Sequence, residues 1–371
     1  MRAGDAVVVA VLLACGGRAA AGQAFDDKLS VHGYLTQAYA RSAHHQLLGI
    51  NDEGTFDYRT GALQVRYDMD TANVFVLQLS HERVGDSPFA EIEAGLEVDW
   101  LFYQHRFADS TSVRLGRVPI PAGIYNEIRD VGTLLPFYRP PDDVYRDTSF
   151  ASETLEGVVI SRRFGQGDWG LEVQPYLGQF DFHAGTTTVN QGRHAYGVQL
   201  WLETPVDALR FGGGARRLDH VTQGVELDEV SQWSAALDAR IGRFTLQGEY
   251  VAHDWRNPAG ASRLTRNLAL AYADVYYGLI GVRPVEKIGV YAQASFTDVG
   301  FYSPLTQGRV AIDDYSEDLA AVVNIALRPD VVLKVEGHRN EGRGIEDDPQ
   351  AILAPEPAVT RYGIVSLSVS F

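Results

Sequence analysis

The residues best suited to chemistry are charged, and many crowd into one stretch. Between Pro119 and Ser152 stand Glu127, Arg129, Asp130, Arg139, Asp142, Asp143, Arg146 and Asp147. Acids and bases mixed in one irregular segment suit a surface that orients polar solutes in a transverse field. Familiar catalytic patterns are missing: there is no G-x-S-x-G, no H-E-x-x-H and no phosphate-binding glycine loop. His81-Glu82 opens like a zinc motif, but Gly85 stands where the second histidine is needed. The adjacent pair His44-His45 lacks the further ligands of a metal site. The expectation is a non-enzyme with no metal and no cofactor.

The balance of charge narrows the partners. A net charge of -16 and a pI near 5.0 argue against nucleic acid, whose phosphates demand basic patches. Lysine is confined to Lys28, Lys287 and Lys334, so the positive charge is almost all arginine. The one cysteine, Cys15, lies near the amino terminus, which leaves the rest of the chain without disulfides or thiol chemistry.

That terminus has the form of an export signal. Ala6 to Ala14 is an apolar run too short to span a bilayer, and the small residues of Gly16 to Ala24 follow it. Cleavage after Ala21 or Ala24 makes residues 1–24 a leader and 25–371 the mature domain. Leu12-Leu13-Ala14-Cys15 also resembles a lipoprotein processing box, in which Cys15 becomes the lipidated first residue. The ordinary cleavage stretch beyond it favours the first reading.

The elements that must carry these charges are strands. Apolar and polar residues alternate from end to end. In Val331 to His338, Val331, Leu333, Val335 and Gly337 oppose Lys334, Glu336 and His338. In Phe244 to Val251, Phe244, Leu246, Gly248 and Tyr250 oppose Thr245, Gln247 and Glu249. The mature chain has no apolar run of the roughly 20 residues a spanning helix needs, whereas strands of about ten residues cross a bilayer when tilted. Long connections fall near residues 41–56, 83–94, 118–153, 183–193, 219–229, 254–273, 299–316 and 342–357, and short turns fall between them. Eight long and seven short connections give about sixteen strands with both ends on the short-turn side. This is the signature of a transmembrane up-and-down antiparallel β-barrel, all-β, with periplasmic turns and outer loops. Aromatics beside the short turns (Tyr67, Phe107, Phe164, Trp169, Phe244) and near the long loops (Phe180, Phe182, Trp233, Tyr250, Trp255, Phe296) are expected to form two girdles.

The last strand, Tyr362 to Phe371, places Val365, Leu367, Val369 and Phe371 on one face and serines on the other. A final strand of this kind resembles the terminal signal of Gram-negative outer-membrane porins and porin-like barrels. Leu115 to Asp130 and the opening His32-Gly33-Tyr34-Leu35 are similar to stretches in that group. The resemblance implies a cell outer-membrane location within membrane lipid, delivery by the barrel-assembly machinery through Phe371, and a homotrimer; acidic residues of the outer loops are expected to lie near lipopolysaccharide phosphates. It also implies that the third long loop folds into the lumen. Phosphate selectivity is not carried over, because the lysine-rich ladder of phosphate-selective relatives is absent.

Segment 119–152 is that third loop. Its prolines and its apolar Ile120, Ile124, Leu134, Leu135, Phe137 and Tyr138 need a place of burial that the lumen supplies. The expected constriction sets Glu127, Asp130, Asp142 and Asp143, with Arg129, against wall arginines Arg66, Arg114 and Arg117. Lys334 and Glu336 are expected to line the pore, and Tyr176 and Trp201 fall on polar faces where a sugar ring can stack. A barrel this wide encloses water. Passive diffusion of small polar or charged solutes is therefore the expected function. The alternatives are a substrate-specific channel for sugars or anions, or a non-conducting barrel acting as enzyme or adhesin.

Overall fold

The computed structural model describes residues 27–85, 95–145, 152–183, 189–222, 224–256, 270–302, 309–344, 347 and 358–371. The expected leader with Cys15, and Arg146 and Asp147, lie outside the described residues. The first eight strands are β1 (Leu29–Ser42), β2 (Thr55–Asp68), β3 (Asn73–Val84), β4 (Glu97–Arg106), β5 (Thr111–Pro119), β6 (Thr154–Gln166), β7 (Trp169–His183) and β8 (Val189–Glu203). The next eight are β9 (Leu209–Thr222), β10 (Val225–Ile241), β11 (Phe244–Arg256), β12 (Leu270–Val285), β13 (Ile288–Tyr302), β14 (Arg309–Arg328), β15 (Val331–Gly342) and β16 (Ala358–Ser370). Each pairs antiparallel with its sequence neighbours, and β1 pairs with β16, so the sheet closes on itself. Closure satisfies every ladder within the wall, which a strand structure in hydrocarbon requires.

The seam explains two sequence signals at once. Gly33 and Phe371 exchange backbone hydrogen bonds of 3.0 and 2.9 Å. A Cβ at Gly33 would run into the Phe371 ring, so the terminal aromatic lies flat across a bare glycine. Leu29 pairs with Tyr67 beside the β2–β3 turn, which puts both described ends on the short-turn side.

The wall is inside-out relative to a soluble protein. On β16 Val365 and Phe371 are exposed while Ser366 and Ser368 are buried. On β11 Phe244, Leu246 and Tyr250 are exposed and Gln247, Glu249 and His253 are buried. The apolar residues therefore face outward and the polar ones inward, as a lipid-facing barrel demands. Short turns use glycine where the backbone must turn left-handed, as at Gly167 (φ 61°) and Gly242 (φ 59°).

Two expectations need correction. Residues 219–229 are not a long loop: β9 runs to Thr222 and β10 starts at Val225, with Gly224 at φ 80° in the turn. Likewise Val299–Tyr302 pairs with Arg309–Ile312, so most of 299–316 is strand. In both, ladder hydrogen bonds carry the strands further than the sequence reading placed their ends. The girdle beside the short turns is present, since Tyr67, Phe107, Phe164, Trp169 and Phe244 are all exposed. Its loop-side counterpart keeps Trp233 and Tyr250 but loses Phe180, Phe182 and Trp255, which are buried. Their positions share the strand face of Gln174 and Gln247, so alternation turns them inward.

Candidate functional site

Between β5 and β6 the chain makes an irregular excursion with a 3-10 turn at Asn126–Ile128 and one helical turn at Asp142–Tyr145. Its contacts reach β1, β2, β11 and β13 to β16. Gly123, at φ 61°, brings the backbone against β11, where a Cβ would strike Glu249 and the Tyr145 hydroxyl. The Ile124 amide donates to Glu249 at 2.9 Å, and the Tyr125 hydroxyl donates to Gln247 at 2.5 Å. Glu249 also accepts from the hydroxyls of Tyr145 and Tyr277, at 2.5 and 2.7 Å. Asn126 closes the base of the excursion by donating to the carbonyls of Ile120 and Glu153 at 2.8 and 3.0 Å.

The far half is held by the opposite arc. Gly132 leaves no room for a Cβ against Thr36 of β1 and Ser368 of β16. Asn324 of β14 donates to the Pro136 carbonyl at 2.9 Å, and Lys334 of β15 donates to the Phe137 carbonyl at 2.5 Å. The Tyr138 amide donates to both carboxylate oxygens of Glu336, at 3.1 and 3.2 Å. Arg139 donates to the Tyr58 hydroxyl on β2 and lies over that ring, 5.1 Å from its centroid. Ser295 and Thr297 of β13 donate to Asp143 at 2.7 and 2.8 Å. Ile120, Ile124, Tyr125, Leu135, Phe137 and Tyr145 are buried in one apolar cluster with wall residues. Each such burial is worth about 1.5–3 kcal/mol.

The structure sorts the expected constriction residues. Arg114 and Glu127 meet at 2.7 Å. Arg66 instead pairs with Asp68 on its own strand at 2.7 Å, beside a short turn. Arg117 reaches Thr154 at 3.4 Å rather than a loop acid. Asp142 pairs with Arg139 within the segment at 3.2 Å, and Arg129 lies 4.0 Å from Glu153. Asp143 faces hydroxyls, not arginines. Lys334 and Glu336 sit on the inward face as expected, but they are buried against the segment's backbone instead of lining water. Asp347 is buried and accepts from the Gly49 amide at 2.5 Å.

Burial sets the electrostatics of the segment. It pushes the Asp143 carboxyl up to about 6, against the pull of the Ser295 and Thr297 hydrogen bonds. Glu153 is held well above the usual carboxylate range, first by burial and then by Asp130 and Asp99. Oxygens of Asp99, Asp130 and Glu153 lie within 4.8 Å of one another. Gln78 donates to Asp99 at 2.6 Å and Trp100 to Glu153 at 3.1 Å.

Facing residues 121–128 across β7–β10 is a cavity of about 750 Å³. It reaches the short turns, since Asp168, Thr204, Val206, Asp207 and Ala208 help to line it. Its wall holds Glu172, Gln174, Trp201, Arg210, Asp238 and Arg240. Trp201 and Tyr176 do not offer sugar-stacking faces: both are buried, and the Arg210 guanidinium covers the Trp201 ring at 4.1 Å. The sequence singled out neither Arg210, Asp238 nor Arg240; the legible signal was a charged residue at inward parity near the short-turn end of its strand.

An inside-out, closed sixteen-stranded barrel is the architecture of outer-membrane porins, and comparison with solved structures agrees. OmpF of Salmonella typhi, solved with daunomycin, is similar over 92% of this chain and 97% of its own, with a TM-score of 0.62 at 10% identity. An anion-selective porin from Comamonas acidovorans matches 92% of this chain and 99% of its own, at TM-score 0.58 and 11% identity. OmpT of Vibrio cholerae, an outer-membrane protein described in a trimer form, matches with TM-score 0.57 at 10% identity over 92% of this chain and 99% of its own. At such identities the shared property is the fold. No protein-family profile and no curated protein matches the chain in sequence.

Proposed function

We propose that the protein is a Gram-negative outer-membrane porin that gives small polar or charged solutes a passive route through its lumen. Segment 120–145 lies within the barrel on this reading and narrows it. The observation that carries it is the pattern of contacts: one segment touches β1 and β2, β11, and β13 to β16, and a cavity remains beside β7–β10. A loop outside a closed wall cannot reach inward side chains on opposite arcs. A residual aqueous path lined by charged side chains passes solutes by size and charge. Function as a homotrimer, assembly through Phe371, contact with lipopolysaccharide and removal of residues 1–24 belong to the same proposal. The trimer form of the similar Vibrio cholerae protein supports the first of these.

Liposome swelling tests it. Proteoliposomes holding the folded barrel should swell in uncharged sugars at rates that fall with solute size. Swelling no faster than that of protein-free vesicles would overturn the proposal. Rates that saturate with concentration would move it to a substrate-specific channel.

A further inference from the structure

We propose that the cavity beside β7–β10 makes the channel prefer cations, and that Glu172 is the residue that sets this preference. The inference rests on the channel reading above and adds its substrate class, small cations and cationic solutes. Three arginines line the cavity: Arg114, Arg210 and Arg240. Each is ion-paired, but Arg210 and Arg240 share one carboxylate, so the three arginines meet two acids. Arg114 pairs with Glu127 at 2.7 Å, Arg210 with Asp238 at 2.9 Å, and Arg240 with the same Asp238 at 3.3 Å. Arg210 is further fixed by its stacking on Trp201. Glu203, also in the lining, is matched by Arg163.

Three lining acids remain with no ion pair among the described residues: Asp168, Glu172 and Asp207. A salt bridge projects little field beyond itself, whereas an unmatched carboxylate in a narrow, low-dielectric passage concentrates cations and repels anions. Position separates the three. Asp168 and Asp207 sit exposed at the short turns, where salt screens a charge within about 8 Å at physiological ionic strength. Glu172 stands further in, half-buried on β7, directly opposite Trp201 on β8 and Arg163 on β6; it makes no salt bridge among the described residues, and the nearby charges of Arg163 and Arg114 are offset by those of Glu127 and Glu203. Its charge therefore acts where the passage is bounded by wall on one side and residues 121–128 on the other.

The test is reversal potential across a planar bilayer under a potassium chloride gradient, using the whole barrel. Wild type should give steady channels whose reversal potential has the sign of potassium permeation. E172Q should still conduct, with its potassium-to-chloride permeability ratio lowered by about a factor of two or more, in line with the loss of one focusing charge. E172D keeps the charge and should keep the ratio. Migration of unheated samples in electrophoresis checks that each variant is folded. Conducting wild type with chloride preference overturns this inference and leaves the channel reading standing. A cation preference that E172Q does not lower overturns the assignment to Glu172. Silence from folded wild type overturns the channel reading and this inference with it.

Discussion

Replacing Lys334 by methionine should release the segment between β5 and β6 without opening the barrel. Lys334 has 0% of its surface exposed, and its ammonium donates to the Phe137 carbonyl at 2.5 Å. Methionine keeps the length and packing of the stem and removes only the charged donor. A hydrogen bond from a charged group contributes about 1.5–3 kcal/mol. Since about 1.4 kcal/mol is a factor of ten, the released population should rise roughly 10- to 150-fold. Trypsin reads that population, because Arg129 and Arg139 are cut only when the segment leaves its contacts. Cleavage under conditions of rapid re-docking tracks the open fraction. The barrel itself should still resist the protease and still migrate as folded before heating. Wild-type protection in folded K334M would refute the claim that Lys334 holds the segment down.

Further outcomes follow from the same contacts. Because burial raises Asp143 from the ordinary 3.8 to about 6, docking at this point is strongest below about pH 4, where the carboxyl is neutral in both states, and weakens as pH climbs through about 6. Hydrogen exchange of residues 136–145, corrected for its intrinsic pH dependence, should show protection falling over that window, and D143N should abolish the trend. G123V should loosen the near half of the segment, since a β-branched residue at φ 61° costs about 1–3 kcal/mol even before its clash with Glu249; exchange at Ile124 and Tyr125 measures it. G33V should displace the Phe371 ring and lower the thermal transition of the barrel, and an unchanged melting temperature would count against the seam described here.

The wall was legible in the sequence because a closed barrel obeys a period of two, and that period fixes which face each side chain takes. Lys334, Glu336, Gln247 and Glu249 were correctly turned inward on that ground alone. What they meet was not legible. Lys334 finds Phe137 at a sequence separation of 197 residues, and Glu249 finds Ile124 at one of 125. No local spacing encodes such a contact; it depends on how the segment is drawn across the ring. The same limit explains Arg66, whose partner proved to be Asp68 two residues away rather than a loop acid. Of the expected wall-to-loop pairs, Arg114 with Glu127 forms, because β5 runs directly into the segment that carries Glu127. Strand ends were the weaker reading, since the polar 219–229 stretch continues the ladder that hydropathy alone would have ended.

The central claim is that water and ions pass beside β7–β10 while the arc near β14–β16 is closed by residues 132–143. The only native cysteine is Cys15, within the expected leader, so a single cysteine placed in the wall reports on its own surroundings. Conductance of the E172C barrel should fall in discrete steps when a bulky methanethiosulfonate is added, and that of N340C, at a position with 0% exposure, should not change. Loss of current from N340C with E172C unaffected would put the path on the wrong side of the barrel and contradict the account.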